Sequence, residues 1–419
     1  MSIYSLNPQE RKIVTLAAIG GMLEFYDFVV YGIFSVYFAH QFFPGTNALI
    51  VILESYLVFV LGYIARPIGG VIFSHIGDEY GRKKVLITTI VLMGISSLGI
   101  GFLPVYAQIG IVAPLLLLIL RLIQGLALGG ELPSTYVYIS ETIAKKRGVA
   151  FGITMTGVNA GLLLGMLINH ALNSLLTTEQ LTNFGWRIPF IIGGFICIIS
   201  YRIRKTLHET AVFQRIHDKP KLPLVYLLRN HFLPFLAGTG TVALMASTVV
   251  VTIVFMPTYL KEMLKLDSQT ISYSMMAVMF FNVIAIYLTG LIAQRHEPVV
   301  MLRILLLLCC FLIPLSYFLF YHNYFIYGLT ILGLLEGGAT MLTPYIISSI
   351  FESRIRLTGV ALCYNVGFTL FGGLAPLIIT HSIKSGFNVY LTPSVYLLAA
   401  VLVCAIALAF VPYKQLLKN

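Results

Sequence analysis

Two carboxylic acids lie close together inside an apolar segment near the start of the chain. Glu24 and Asp27 stand in the stretch GGMLEFYDFVVYG, near the middle of the apolar run 13–39. Residues three or four positions apart share one face of a helix, so Glu24, Asp27 and Tyr31 lie on the same face. Ionisable groups in such a segment normally face a protein interior or a water-filled cavity and have a partner. The chemistry that this pattern indicates is the uptake and release of a proton.

Arg121 is the basic residue at a comparable depth, about ten residues inside another apolar run at about 1.5 Å of rise per residue. Burial favours the neutral form of a carboxylic acid, whereas a nearby guanidinium favours the ionised form. Asp27 and Arg121 therefore form either a static pair that fixes helix packing or a site that loads and releases a proton. We favour the proton site, because ionisable groups in apolar spans mark functional pathways. The residues assigned to it are Asp27, Arg121, Glu24 and Glu131, the last of which lies seven positions beyond Gln124.

The composition shows which kind of element must hold these residues. The chain has 419 residues, of which 58% are hydrophobic and only 10% charged, whereas soluble domains carry about 25% charged residues. It is therefore predicted to be an all-α membrane protein, since a crossing helix needs about 20 mainly apolar residues. The twelve predicted spans are 13–39, 48–74, 85–107, 110–140, 149–172, 186–203, 230–260, 269–293, 299–321, 324–351, 358–384 and 391–413.

Basic residues indicate the orientation of the spans, since cytoplasmic loops collect Lys and Arg. They cluster at Arg82 to Lys84, at Lys145 to Arg147 and across 202–229, and they recur at Lys414 and Lys418. With both termini in the cytoplasm, few basic residues face outward, namely Lys261, Lys265 and Lys384. The bias predicts a multi-pass protein of the cytoplasmic (inner) membrane with both termini inside. It also explains the net charge of +11 without a nucleic-acid partner.

The chain divides into two halves of six spans each. The basic stretch 204–229 separates an N-terminal bundle, 1–203, from a C-terminal bundle, 230–419. At an offset of 211 residues the halves fall into partial register, with GVA at 148–150 matching GVA at 359–361. Six-helix repeats of this kind are a recognised transporter architecture.

The loop SHIGDEYGRKKVL, Ser74 to Leu86, resembles the signature loop of the major facilitator superfamily. Asp78, Gly81, Arg82 and Lys83 match its pattern, whereas Ser74 and Glu79 depart from it. Arg121, Gln124 and Gly125 match a second pattern of the superfamily, R-x-x-Q-G. Such a loop suits a gate, because Arg82 can pair with a carboxylate such as Glu141. The residues assigned to a cytoplasmic gate are Asp78, Gly81, Arg82, Glu141, Arg354 and Arg356.

Further stretches look like the metabolite:proton symporter family, whose relatives include proline/betaine and dicarboxylate permeases. They are EFYDFVVYG, YIARPIGG, GGELPSTYVYISE, GWRIPFIIGG, FMPTYL and FESRIRLTGVALCYNVG, in which Glu352 departs from the family pattern. The resemblance implies the major facilitator fold, with twelve transmembrane helices in two six-helix bundles. It also implies proton-coupled uptake, by alternating access, of a small carboxylate-bearing or zwitterionic metabolite.

Polar residues within the spans are the candidates for contact with a substrate. Each is also a plausible interhelical hydrogen-bonding group, since such pairs commonly hold membrane helices together. Glu336 is the lone acid of the second-half spans, in LLEGGATMLTPY. The candidates are Tyr31, Gln124, Asn159, Asn282, Glu336, Tyr345 and Asn365.

Other classes of function fit the sequence less well. An enzyme is disfavoured, because no nucleotide-binding loop, zinc triad or Ser/His/Asp arrangement is evident, and the five cysteines have no metal-ligand spacing. We therefore expect no cofactor and no bound metal. A drug or metabolite exporter of the same superfamily, uptake of a polycarboxylate chelator or siderophore, and a non-transporting receptor stay open as alternatives. The expected partners are protons, a small-molecule substrate and membrane lipid, and we expect a monomer.

Overall fold

Long apolar helices make up most of the chain. The computed structural model describes residues 5–45, 48–216 and 219–410. Within these ranges eleven helices are long and apolar enough to cross a membrane, and twelve if the bent pair Thr178–Gly185 and Arg187–Lys205 forms one span. The all-helical membrane architecture predicted from the sequence is confirmed. Lys414, Lys418 and the end of the span predicted over 391–413 lie outside the described residues.

We number the long helices in chain order. They are α1 (Pro8–Phe42), α2 (Ala48–Tyr80), α3 (Arg82–Phe102), α4 (Val112–Thr142), α5 (Arg147–Leu175), α6 (Arg187–Lys205), α7 (Phe232–Met263), α8 (Ser268–Ile292), α9 (Pro298–Tyr321), α10 (Phe325–Ile350), α11 (Arg356–Lys384) and α12 (Leu391–Ala409). Wider π-helical turns interrupt α7 at Val250–Phe255 and Tyr259–Met263 and α11 at Phe368–Gly373. Short helical segments occupy Tyr106–Ile109, Ala144–Lys146, Thr178–Gln180, Leu181–Gly185, Ala211–Gln214 and Pro223–Asn230.

Local sequence signals explain where several helices begin. Gly81 separates α2 from α3 with a φ of 114°, a backbone conformation that glycine adopts without steric penalty. Asp267 caps α8, because its side chain accepts a hydrogen bond from the backbone N–H of Thr270 at 2.8 Å. Between such breaks the apolar runs are helical, since a helix satisfies its own backbone hydrogen bonds within lipid.

The described residues form two compact units. The N unit contains those of 12–138 and 157–217, and the C unit contains those of 1–11, 139–156 and 218–419. The bundle boundaries at 203 and 230 stay a prediction from the sequence.

Each unit has close helix contacts that depend on small residues. In the N unit, a Cβ on Gly125 of α4 would lie 1.8 Å from the carbonyl oxygen of Gly62 on α2. In the C unit, a Cβ on Gly337 of α10 would lie 2.6 Å from the carbonyl oxygen of Asn282 on α8. Small residues let membrane helices approach this closely, so the polar side chains beside these positions are held firmly.

Candidate functional site

One face of α1 meets three buried arginines of the N unit. The residues on this face, which we call the charged face, are Gly20, Glu24, Asp27 and Tyr31, spaced four, three and four positions apart. That spacing keeps all four on one side of a helix. All four are buried. The sequence therefore places two acids, an aromatic ring and a glycine on one buried face of α1. The missing side chain of Gly20 leaves a notch in that face.

Asp27 lies at the centre of the charged face and is 1% exposed. Its Oδ2 atom accepts hydrogen bonds from Ser97 Oγ of α3 at 2.8 Å and from Gln124 Nε2 of α4 at 2.9 Å. Its Oδ1 atom accepts none, and a Cβ added to Gly193 of α6 would lie 3.0 Å from it. One oxygen of the carboxylate thus accepts two hydrogen bonds, and the other accepts none.

Arg121 reaches Asp27 through Gln124. Its Nη1 atom donates to Gln124 Oε1 at 2.5 Å, and its guanidinium lies over the ring of Tyr31 at 4.0 Å from the ring centre. The direct pair of Asp27 and Arg121 considered from the sequence is therefore an indirect one. The physical reason is spacing, since Gln124 follows Arg121 by three residues on α4 and so lies on the same face of that helix, towards Asp27.

Glu24 has its own basic partner on α2. Arg66 Nη2 donates to Glu24 Oε1 at 3.0 Å, and both side chains are buried. The second oxygen of Glu24, Oε2, accepts no hydrogen bond. Glu24 therefore resembles Asp27 in having one bonded oxygen and one available oxygen.

Glu131 accepts more hydrogen bonds than either acid of α1. Arg204 of α6 donates two hydrogen bonds to it, from Nη2 to Oε1 at 2.5 Å and from Nη1 to Oε2 at 3.0 Å. Thr89 Oγ1 also donates to Oε2 at 2.5 Å. Both oxygens of Glu131 are thus occupied by donors, whereas Asp27 and Glu24 each have one oxygen that accepts no hydrogen bond.

Gly20 of the charged face leaves room for the guanidinium of Arg204. A Cβ built on Gly20 would lie 1.5 Å from Arg204 Nη2, so the guanidinium occupies the place of a side chain on α1. Arg204 Nη1 also donates to the carbonyl oxygen of Leu86 on α3 at 2.7 Å. One arginine therefore contacts α1, α3 and α4 from α6. Counting Lys and Arg had assigned Arg204 to the cytoplasmic connector, and only its position at the very end of an apolar run hinted otherwise.

The predicted gate residues lie in both units, and the contacts within each unit are described in turn. In the N unit, Arg82 Nη1 lies 3.2 Å from Asp78 Oδ1 and donates to the carbonyl oxygen of Gly77 at 2.7 Å. Glu209, just after α6, accepts a hydrogen bond from the backbone N–H of Lys83 at 3.1 Å. Glu209 is a contact that the sequence analysis missed, although it lies in the basic connector beside the signature loop.

In the C unit, Arg356 Nη1 lies 3.3 Å from Glu141 Oε1, and both side chains are buried. Arg354 Nε donates to Glu352 Oε2 at 2.7 Å, and its Nη2 donates to the hydroxyl of Tyr226 on the segment Pro223–Asn230. The loop between α10 and α11 is therefore tied both to the end of α4 and to the connector.

The predicted substrate contacts are distributed over both units. In the N unit, Tyr31 belongs to the charged face, Gln124 donates to Asp27, and Asn159 is buried on α5. In the C unit, Tyr345 of α10 stacks on Phe151 with ring centres 5.6 Å apart. Asn365 of α11 donates to the carbonyl oxygen of Ala361 at 2.9 Å.

In the C unit, Asn282 is bonded to the neighbouring helix, whereas Glu336 is bonded within its own helix. Asn282 Nδ2 of α8 donates to the carbonyl oxygen of Gly333 on α10 at 3.3 Å. Glu336 Oε1 accepts from Thr340 Oγ1 at 2.5 Å. The assignment of all these residues to a substrate stays a prediction.

Known proteins similar to this chain are membrane transporters. The family model described as Major Facilitator Superfamily matches residues 17–376. A putative proline/betaine transporter of Staphylococcus aureus (strain MSSA476) is 32% identical over 411 residues, covering 96% of this chain and 88% of that protein. The inner membrane metabolite transport protein YhjE of Escherichia coli (strain K12) is 33% identical over 397 residues, covering 90% and 88%.

Solved structures resemble the fold over nearly its whole length. The proton:xylose symporter XylE, bound to a bromodeoxyglucose, aligns with a TM-score of 0.81 at 17% identity, covering 98% of each chain. FucP in its outward conformation aligns with a TM-score of 0.69 at 15% identity, covering 95% of this chain and 99% of that one. At such identities the likeness concerns the fold.

Proposed function

This chain belongs to the major facilitator superfamily, and from that premise we propose that it takes up a small carboxylate-bearing or zwitterionic metabolite together with protons. Membership makes it a multi-pass membrane transporter and not an enzyme, as the sequence predicted. The predicted likeness to proline/betaine permeases is confirmed by the relatives. Coupling to protons, the substrate class and the direction of transport are the proposal.

The carrying observation is the half-bonded carboxylate of Asp27. A buried acid whose second oxygen has no donor gains by taking up a proton, because a polar atom buried without a hydrogen bond is costly. Arg121, linked to it by the Gln124 amide, opposes protonation by favouring the ionised form. A change in the Arg121–Gln124–Asp27 chain during the cycle would therefore release the proton. Ionisable groups in transporter spans serve this role widely.

The substrate class is supported by the relatives and by the interior charges. The Staphylococcus aureus relative is named for proline and betaine, which are zwitterions with one carboxylate. YhjE is named as an inner membrane protein, which supports the same membrane here. The interior of the N unit holds both signs of charge. Such an interior suits a substrate with a carboxylate better than it suits an apolar drug.

The test is uptake of labelled L-proline into proteoliposomes under a pH gradient, acid outside. Asp27→Asn removes the titrating group while keeping shape, so gradient-driven accumulation should vanish. Exchange of labelled for unlabelled substrate needs no net proton movement and should survive. Arg121→Lys should retain little gradient-driven accumulation, since an ammonium cannot reproduce the forked hydrogen bonding of a guanidinium. Asp267→Asn, the same change at an exposed cap where Asn serves as well as Asp, is the matched control.

Full accumulation by Asp27→Asn would refute proton coupling at this residue. The charged groups around Asp27 would then serve helix packing alone. Dye retention that rises on deletion of the gene would favour export instead.

A thermal-shift screen of the purified protein identifies the substrate class independently of transport. A ligand that binds only the folded state raises stability by RT ln(1 + [L]/Kd), about 2.7 kcal/mol at a hundredfold excess over Kd. Proline, betaine, dicarboxylates and a polycarboxylate chelator should be compared at equal concentration. Stabilisation by the chelator alone would replace the small metabolite in the proposal.

A further inference from the structure

Glu336 of α10 is a buried acid without a basic partner. It is 0% exposed. Among the described residues no Lys, Arg or His lies within ion-pair distance of it, in contrast to Glu24, Glu131 and Glu141. Its single bond comes from Thr340, one turn along the same helix.

Two acceptor oxygens near this position receive no hydrogen bond. They are Glu336 Oε2 and Asn282 Oδ1, on two helices that pack directly against each other. Asn282 is 0% exposed as well. Buried acceptors are normally satisfied, so a pair without donors on adjacent helices calls for an explanation.

Helix geometry gives the direction in which Glu336 leaves α10. Gly337 faces α8 at Asn282, and Gly338 faces α9, where a Cβ would lie 3.2 Å from Leu305 Cδ1. At about 100° per residue, Glu336 is rotated by about 160° from Gly338 and by about 100° from Gly337. The carboxylate therefore projects from the side of α10 that is turned away from α9.

A carboxylate in this setting gains from a group that brings both charge and donors. An ionised acid buried without a partner is costly, and removing its charge or supplying an opposite one relieves that cost. The described helices of this unit supply no opposite charge within ion-pair distance, and their one donor to this carboxylate is the Thr340 hydroxyl. We propose that Glu336, with Asn282 on the helix packed against α10, binds the cationic ammonium group of a zwitterionic substrate. The inference rests on the proposed function and narrows its substrate class from carboxylates in general to amino-acid-like zwitterions.

The chemistry also ranks the cations. An ammonium that carries N–H groups satisfies the free oxygens by charge and by hydrogen bonding, whereas a quaternary ammonium offers charge alone. A secondary ammonium such as that of proline should therefore bind better than the quaternary ammonium of betaine. A carboxylate that lacks the nitrogen should bind worst.

The experiment compares ligands that differ only at the nitrogen. The purified full-length protein is titrated with L-proline and with cyclopentanecarboxylate, its carbon analogue, and with glycine betaine and 3,3-dimethylbutyrate. Wild type should bind proline about tenfold or more tightly than cyclopentanecarboxylate, the effect of one charged hydrogen bond. Glu336→Gln keeps the size and can keep the Thr340 bond, and it should bring the ratio close to one. Glu297→Gln, the same change at an exposed residue, should leave the ratio unchanged.

Several outcomes would overturn the proposal. They are equal binding of proline and its carbon analogue by wild type, no binding of either zwitterion, and a ratio that survives in Glu336→Gln. The wild-type comparison decides the matter even if the variant fails to fold. Gradient-driven accumulation of a carboxylate without nitrogen would leave proton coupling intact while excluding the ammonium site. Uptake that does not depend on the pH gradient, together with tighter binding of proline than of its carbon analogue, would exclude proton coupling and leave the ammonium site intact.

Discussion

The interiors of the two units solve the problem of buried charge in different ways. The N unit matches its acids with bases, since Glu24 has Arg66, Glu131 has Arg204, and Asp27 has Arg121 through Gln124. Among the described residues of α7 to α12, Glu336 is the one buried acid, and it has no such match. An interior that compensates itself keeps its structure without help. An interior with a surplus acid depends on something that arrives from outside, a proton or a cation.

The largest expected effect comes from breaking the most complete pair of the N unit. Arg204→Met leaves Glu131 buried without its cation, which should cost about 3–5 kcal/mol. The midpoint of thermal unfolding in detergent should fall sharply. Adding Glu131→Leu should recover much of the loss, because replacing both members of a buried pair by apolar groups is often neutral.

The same measurement on Glu336→Gln supplies the contrast. Removing an uncompensated carboxylate should leave stability unchanged or raise it, since no partner is stranded. A loss as large as that of Arg204→Met would show that Glu336 has a structural partner, and the contrast between the units would fail.

The second effect concerns the notch on α1. Gly20→Ala places a methyl group where Arg204 Nη2 lies, so the guanidinium must shift from its present position against Glu131. We expect destabilisation of about 1–3 kcal/mol, the usual range for overpacking. Gly32→Ala on the same helix meets no atom within 4 Å and should be neutral or stabilising. Equal melting temperatures for the two variants would remove the notch from the account.

A smaller effect is expected for Glu24→Gln, read out as transport. Glu24 lies one turn from Asp27 and is bound to Arg66 rather than to the Gln124 chain. Gradient-driven uptake in proteoliposomes should fall only a few-fold, against complete loss for Asp27→Asn. Complete loss in both variants would mean that the two acids act as one unit.

The smallest effect tests a charge at the surface of the C unit. The hydrogen bond from the Thr270 side chain holds the pKa of Asp267 below its ordinary value, with further help from backbone N–H groups. A lowered pKa means that the ionised cap stabilises the fold above the ordinary Asp range, near pH 4, and that this contribution is lost as the pH falls. Asp267→Ala should therefore lower the unfolding temperature slightly at pH 7 and have less effect in acid. A difference that grows on acidification would contradict this.

The sequence predicted the helices well, because span length and hydropathy are local properties. The span expected at 186–203 is Arg187–Lys205, and that at 324–351 is Phe325–Ile350. The charged face of α1 was also predictable, since it depends only on the spacing along one helix. Glu24, Asp27 and Tyr31 are buried on the same side, as that spacing requires.

The partners of those acids could not be predicted in the same way. Glu24 and Arg66 are 42 positions apart, and Glu131 and Arg204 are 73 apart, on helices whose adjacency the sequence does not state. Arg204 was counted with the basic residues of the predicted cytoplasmic connector, so counting charges assigned it to a loop. Gln124 was expected at a substrate, yet its amide lies between an acid and a base. Such roles follow from which helices touch, and that is a property of the fold as a whole.

The π-helical turns of α7 and α11 carry a consequence for rotational register. A π turn holds one residue more than an α-helical turn would, so each residue beyond it is rotated by about 100° from the face that continuous counting assigns. In α11, Ile379 lies beyond the turn at Phe368–Gly373 and is buried, whereas Leu377 is exposed. Deleting one residue from that turn would bring Thr380 towards the buried place of Ile379. The extra residue is thus part of the code that decides which side of the helix faces the protein, and an alignment that closes the gap there would assign every later residue to the wrong side.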